Sequence, residues 1–343
     1  VHSAVLLLSL AVAQPPEVDQ RSIKPDAFTT LVNPNCSHCV DEAKRRADLR
    51  DDDRALCWTR GKYDGGAIPM RFFLAPYRVI SDTYGTFVYD PDAGYARAFP
   101  ASLDYRFHGW RNGIMVMKHK DGTLFSCLSG RAFDGPRKGD KLPYWPTVVT
   151  DWGWYLKHYP SGVAYQMHEK YKPIDLPKKP DEVSVKTRVK INQDLPDEEM
   201  VLGINPPEGK GGPRAVTISM LDKQGRYAAM FADDRVTGSG LIVLWQASTG
   251  TAAAYFLRAE KRAAPTDLGV EGKVLNSRDK LDIAVDPKAD DAPFVDKKSK
   301  SRFDITGRCV KGELKGWTLV PAESVMCKWF AWIIEYPETT LAK

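Results

Sequence analysis

Apolar and polar positions alternate along most of this chain in runs of strand length. The pattern predicts strands over Met70–Ile80, Thr86–Tyr89, Ile114–Lys118 and Leu124–Leu128, and later over Val183–Ile191, Met200–Ile204, Ala215–Leu221 and Tyr227–Phe231. Leu241–Ala247 and Thr251–Leu257 flank Ser248-Thr249-Gly250, which predicts a hairpin with glycine in its turn. Helical spacing is scarcer. Within Val148–Tyr159, the residues Trp152, Tyr155, Leu156 and Tyr159 fall at i, i+3, i+4 and i+7, and Trp329, Trp332, Ile333 and Tyr336 repeat the spacing within Val325–Tyr336. Each stripe predicts a helix with one buried face, followed by Pro160 or Pro337, where proline cannot continue the helix. Val40–Arg50 reads as a further, charged helix. Strand segments outnumber helical ones several-fold, so the expected class is α+β, β-dominated.

The two aromatic stripes belong to a longer repeat. At an offset of 177 residues, Ser129–Val163 aligns with Thr306–Thr340 without a gap, and ten positions are identical. They include Gly130/Gly307, Arg131/Arg308, Gly139/Gly316, Trp152/Trp329 and the Tyr-Pro pairs at 159–160 and 336–337. These residue types have backbone or packing roles, so the match predicts two pseudo-repeated β-rich units, each ending in an amphipathic helix. Arg131 and Arg308 read as a shared structural ion pair or turn contact. Between the copies, Tyr171–Glu182 carries three prolines among mixed charges and reads as an exposed linker. The expected organisation is a signal peptide over 1–13, an N-terminal arm over 14–80, a first unit over 81–170, a linker over 171–194 and a second unit over 195–343. Asp286–Lys300, with eight charged residues in fifteen positions, reads as a solvated loop.

Composition narrows the function classes. The 343 residues are 43% hydrophobic, enough for a substantial core, and 49 basic residues against 44 acidic ones leave a net charge of only +5. That balance lacks the concentrated basic field of a nucleic-acid binder, so no nucleic-acid partner is expected. No segment reaches the roughly 18 to 20 apolar residues of a membrane span. The apolar run Ala4–Val12, ending in Ala11-Val12-Ala13, resembles a secretory signal with a small-x-small cleavage site, which predicts a periplasmic or otherwise extracytoplasmic protein. In that setting the six cysteines, Cys36, Cys39, Cys57, Cys127, Cys309 and Cys327, are candidates for oxidation or metal binding.

The repeated residues carry a family resemblance. The run from Gly109 to Leu142, GWRNGIMVMKHKDGTLFSCLSGRAFDGPRKGDKL, resembles the core pattern of the bacterial domain of unknown function 3179 family: a Met-rich strand, a D-G-T turn, Ser-Gly, then G-x-x-x-G before a leucine. Phe294–Leu319 repeats it, and Phe231–Trp245 resembles the family's acidic turn leading into a buried strand. The resemblance implies membership without an established activity. Phe125 and Phe303 stand where tryptophan is more usual, and Trp245-Gln246-Ala247-Ser248 replaces a paired-cysteine run carried by many members. The arm with its CSHC motif looks like that of a planctomycete-like subgroup.

Two constellations could carry chemistry. Asn35-Cys36-Ser37-His38-Cys39 precedes the expected Val40 helix, whose N-terminus would favour a thiolate. Cys36 and Cys39 could form a catalytic dithiol couple, or Cys36, His38 and Cys39 with Cys57 as fourth ligand could hold copper or zinc. A structural disulfide among these cysteines is the remaining reading. The second constellation, Arg106, His108, Trp110 and Arg111, places two guanidiniums, an imidazole and an indole within six residues, a set suited to a carboxylate or phosphate. Standard nucleophile-elbow, phosphate-loop, zinc-protease and dinucleotide motifs are missing. Two functions therefore stand side by side: a thiol-redox or metal-handling protein, and a non-enzymatic binding or scaffold protein.

Overall fold

Strand formation follows the β-branched and aromatic runs, and the pairing of those runs reveals the duplication. The computed structural model describes residues 29–33, 37–39, 49–59, 65–73, 77–165, 194–206, 211–232, 240–263 and 272–342. Each unit contains three small sheets. The first meander runs Tyr105–Arg111, Ile114–His119, Leu124–Ser126, Ala132–Asp134, and the second runs Ile283–Val285, Phe294–Asp296, Arg302–Phe303, Cys309–Lys311, all antiparallel neighbours. A hairpin sheet in the first unit orders Thr29–Val32, Tyr77–Ser81, Thr86–Asp90 and Tyr95–Phe99. In the second unit its counterpart orders Tyr227–Ala232, Leu241–Gln246, Thr251–Arg262 and Val274–Asp279. Leu241–Gln246 is apolar almost throughout because both of its faces are covered: Ile242 and Leu244 enter one core cluster, Leu241, Val243 and Trp245 another.

The third sheet of each unit is mixed, and the two copies agree residue by residue. Thr147–Asp151, Arg54–Trp58, Gly66–Pro69 and Val163–Tyr165 lie side by side, as do Ser324–Lys328, Met200–Ile204, Arg214–Thr217 and Thr340–Leu341, the last pair parallel in both. Val148 faces Cys57 where Val325 faces Gly203. The span read as an N-terminal arm thus supplies two central strands of the first unit's mixed sheet. Each mixed sheet runs straight into a seven-residue helix, α1 (Trp152–His158) or, beyond α2 (Ile218–Asp222), α3 (Trp329–Glu335). The first helical N–H groups are satisfied by carbonyls of the neighbouring strand's approach: Trp152 N donates to Asp53 O and Trp329 N to Glu199 O, each at 2.8 Å.

The two units interlock. Trp329, Trp332, Ile333 and Tyr336 of the second unit's helix pack in one cluster with Phe99, Phe125, Cys127 and Leu128 of the first unit. Reciprocally, Tyr159 at the end of α1 shares a hydrogen bond with Thr306 in the second meander, and Arg308 lies over the Tyr159 ring at 4.2 Å and donates to His158 O. Arg54 reaches Thr249 O in the second hairpin, while Lys328 N donates to Ala93 O in the first at 2.9 Å. A buried ion pair, Arg97 with Glu323, also joins the units, and Lys141 and Asn205 bond the same carboxylate. The exchange is unequal: α3 is buried in a core shared with the first unit's meander, whereas α1 packs on its own mixed sheet and meets the second meander through Trp154, His158 and Tyr159.

Several boundaries differ from the periodic reading. The expected helices over Val148–Tyr159 and Val325–Tyr336 lose their first turn to strands, since Thr147–Asp151 and Ser324–Lys328 gain full ladders beside Arg54–Trp58 and Met200–Ile204. Met70–Phe72 is a 3-10 turn, and the strand described within the expected span is Tyr77–Ser81. Ala215–Leu221 divides at Thr217, whose hydroxyl accepts from Met220 N at 3.2 Å and caps α2. Phe294–Asp296 forms a buried strand inside the segment read as a loop. The expected signal peptide, the linker and the Val183–Ile191 strand lie outside the described residues, as does all of the Val40–Arg50 helix but its last two positions, which are irregular. Among the described residues no helix is long and apolar enough to cross a membrane.

Candidate functional site

The first hairpin of the first meander builds a polar concavity. Asn112 and Gly113 both take positive φ, 53° and 81°, the geometry of a tight two-residue turn that places Arg111 opposite Ile114. A bulge between Phe107 and Gly109 then makes His108 the unpaired extra residue and shifts the register by one. Beyond the bulge Arg106 stands directly opposite Lys118, and Tyr105 opposite His119.

These positions open onto a cleft of about 300 Å³ lined by Asp104, Arg106, Phe107, His108, Lys118, His119 and Lys120. Three cationic side chains face one carboxylate there. Lys120 is held by Asp104 at 2.9 Å, and the His119 ring lies 3.0 Å from Asp121 and 3.8 Å from Asp104. The Arg106 guanidinium donates to the carbonyls of Leu103 and Tyr105 through one nitrogen, both at 2.7 Å, which leaves further N–H groups to donate. Partial burial, reinforced by the Lys118 charge, lowers the His108 pKa below that of an ordinary imidazole. His108 is therefore neutral at pH 7 and can accept or donate one hydrogen bond at each ring nitrogen.

Of the four residues singled out in the sequence, the structure brings Arg106 and His108 to this cleft. Trp110 is turned into the first core, 3% exposed and edge-on to Phe107, and Arg111 lies over the Phe133 ring at 4.4 Å. The bulge at His108 breaks the alternation that would otherwise keep Trp110 on the face of Arg106. Lys118, His119, Lys120 and Asp104 escaped the sequence reading, although the Asn-Gly turn was a usable signal: it fixes which residues of the two strands face each other.

The cysteines divide differently. Cys57, Cys127, Cys309 and Cys327 are unbridged and buried, and burial raises each thiol's pKa, so these sulfurs are poor nucleophiles. Ser37–Cys39 forms an edge strand of the first mixed sheet, where His38 faces Ala164 across the ladder. Cys57 lies in the same row, beyond Ala67, and is thus three strands away from His38. At roughly 4.8 Å per strand that puts about 14 Å between the backbones of His38 and Cys57. Cys36 is outside the described residues. Among the described residues no group of three or more His, Cys, Asp or Glu side chains is placed to hold a metal ion.

Comparison with known proteins gives a family and no chemistry. Residues 106–339 match the family model described as "Protein of unknown function (DUF3179)". No curated protein and no solved structure matches the chain. The matched span begins at the first cationic residue of the cleft, covers both meanders and both helices, and takes in well over half of the sequence. The chain belongs to the DUF3179 family of proteins of unknown function.

Proposed function

We propose that this protein is a binding protein whose hairpin cleft holds a small oxyanion, a carboxylate or phosphate group, between Arg106, Lys118 and His108. The observation that carries this reading is the register: Arg106 and Lys118 are like charges directly opposite each other on neighbouring strands, an arrangement that is destabilising until an anion lies between them. Guanidinium and ammonium supply charge, and the neutral His108 ring supplies an adjustable hydrogen-bond partner. The apolar run Ala4–Val12 supports an extracytoplasmic setting for this binding. Thiol-redox or thiophilic-metal handling at Cys36 and Cys39 draws its support from the sequence motif, and thiol titration with metal analysis of Cys36→Ser and Cys39→Ser variants tests it separately.

Calorimetric titration with inorganic phosphate and with acetate, at constant ionic strength set by chloride, tests the oxyanion reading. Saturable binding at one site is expected, weakened about tenfold or more in Lys118→Gln and in Arg106→Gln, the cost of losing one charge-assisted contact. Absence of saturable binding to either anion at millimolar concentration, or unchanged affinity in both variants, would overturn it.

A further inference from the structure

A second concavity lies where the two units meet, and its chemistry is the opposite of the cleft's. It measures about 360 Å³, and its apolar wall is made by Met70, Met200, Met326, Tyr89, Ala96 and Val149. The repeat explains how it arose. Pairing in the mixed sheets makes Met200 the counterpart of Arg54, since each ends its strand opposite the last residue of the neighbouring strand, Lys328 or Asp151, and the 177-residue offset makes Met326 the counterpart of Val149. Both members of each pair stand on the wall of the cavity. Where Arg54 reaches over the second hairpin to Thr249 O, Met200 instead lies against the first hairpin at Gly94. A Cβ at Gly94 would come within 3.2 Å of the Met200 sulfur, and φ there is +71°, so this close approach requires glycine.

Charges on the lining are already matched. Arg54 bonds Asp151 at 2.6 Å, and Arg71 lies 3.6 Å from Asp53. A ligand in this concavity meets arginines that are already paired, together with three thioethers and a tyrosine ring. Unbranched methionine side chains adapt to a guest and contact aromatic rings favourably through sulfur. Size can be judged against an engineered dry cavity of about 150 Å³, which holds benzene. A space more than twice as large accommodates two or three fused or linked rings.

We propose that the inter-unit cavity binds an uncharged aromatic molecule of two to three rings, independently of the oxyanion cleft. N-phenyl-1-naphthylamine, uncharged and bright only in apolar surroundings, is the probe, and 8-anilino-1-naphthalenesulfonate, the same skeleton with a sulfonate, is its charged comparison. Titration of the intact protein should give a one-site fluorescence rise with the uncharged probe and at least about tenfold weaker binding of the sulfonate. Filling the cavity with Met326→Trp should weaken the uncharged probe about tenfold or more while the melting temperature is kept, and Val149→Phe, from the other unit, should act likewise if the first variant fails to fold. The proposal is overturned by the absence of a saturable rise, by equal binding to the wild type and a folded cavity-filled variant, or by tighter binding of the sulfonate.

Discussion

Adding one methyl group at Gly130 or at Gly307 should destabilise the fold to a similar degree in both units. Gly130 has φ +71°, and a Cβ there would stand 2.7 Å from the Phe99 ring and 3.4 Å from Leu142; Gly307 has φ +79°, with its Cβ 2.7 Å from the Tyr255 ring and 3.1 Å from Leu319. Neither ring can yield. Phe99 is fully buried, and Tyr255 is anchored at its far end by a 2.9 Å hydrogen bond to Ile305 O. Left-handed backbone costs an alanine about 1–2 kcal/mol. Overpacking adds about 1–3 kcal/mol, and reduced freedom of the unfolded chain returns about 0.4–1 kcal/mol. Each variant should therefore lose about 2–4 kcal/mol. Gly139 and Gly316, with φ +96° and +83° and nothing within 4 Å of the added methyl, provide the matched comparison, for which the same reasoning leaves about 1.5 kcal/mol or less. Urea denaturation followed by tryptophan fluorescence measures all four. The reasoning fails if Gly130→Ala and Gly307→Ala are no costlier than Gly139→Ala and Gly316→Ala, or if one member of a pair is costly and its counterpart is tolerated.

The other expectations concern buried charge and sulfur. Glu323→Ala leaves the Arg97 guanidinium, 3% exposed, without its carboxylate, and should cost about 3 kcal/mol or more by urea denaturation; a loss under about 0.5 kcal/mol would show that the pair contributes little to joining the units. A thiol reagent applied to the native protein should label no more than two of the six cysteines, Cys36 and Cys39, with the four buried thiols reacting only in denaturant. Labelling of Cys57 in the native state would contradict its burial. Oxyanion affinity should rise as pH falls through the imidazole range, because a bound anion favours the proton that Lys118 and burial disfavour; a midpoint shift of about half a unit corresponds to about threefold in affinity across the range, and His108→Gln should reduce the dependence.

Much of this architecture could be read from residue pattern. The gapless repeat from Ser129 and Thr306 reappears as matched hydrogen bonds, Leu142 N to Gly130 O and Leu319 N to Gly307 O, at 2.9 and 2.8 Å. Identity persisted at those positions because sterics admit nothing but glycine. Helix starts were misjudged for the opposite reason: Thr147–Asp151 satisfies a helical count, yet its β-branched residues gain a ladder that only the fold supplies. In the cleft, Arg106 and His108 were legible as a local cluster, whereas Lys118 and His119 needed the hairpin register. Counting back from the Asn112-Gly113 turn would pair Arg106 with His119, and the unforeseen bulge at His108 moves it to Lys118. Interlocking of the units was not legible, since no local pattern tells a helix which of two similar meanders it covers.

The oxyanion cleft is tested most directly by proton NMR titration of the His108 ring, assigned through His108→Gln, with and without sodium sulfate, a dianion that does not itself titrate in this range. Sodium chloride at equal ionic strength controls for screening of Lys118, Arg106 and Lys120. Without sulfate the His108 midpoint should lie below the ordinary histidine value of about 6.5. With sulfate it should rise by at least about half a pH unit beyond the chloride control, and Lys118→Gln should reduce that rise. A midpoint that moves no further in sulfate than in chloride would contradict the account.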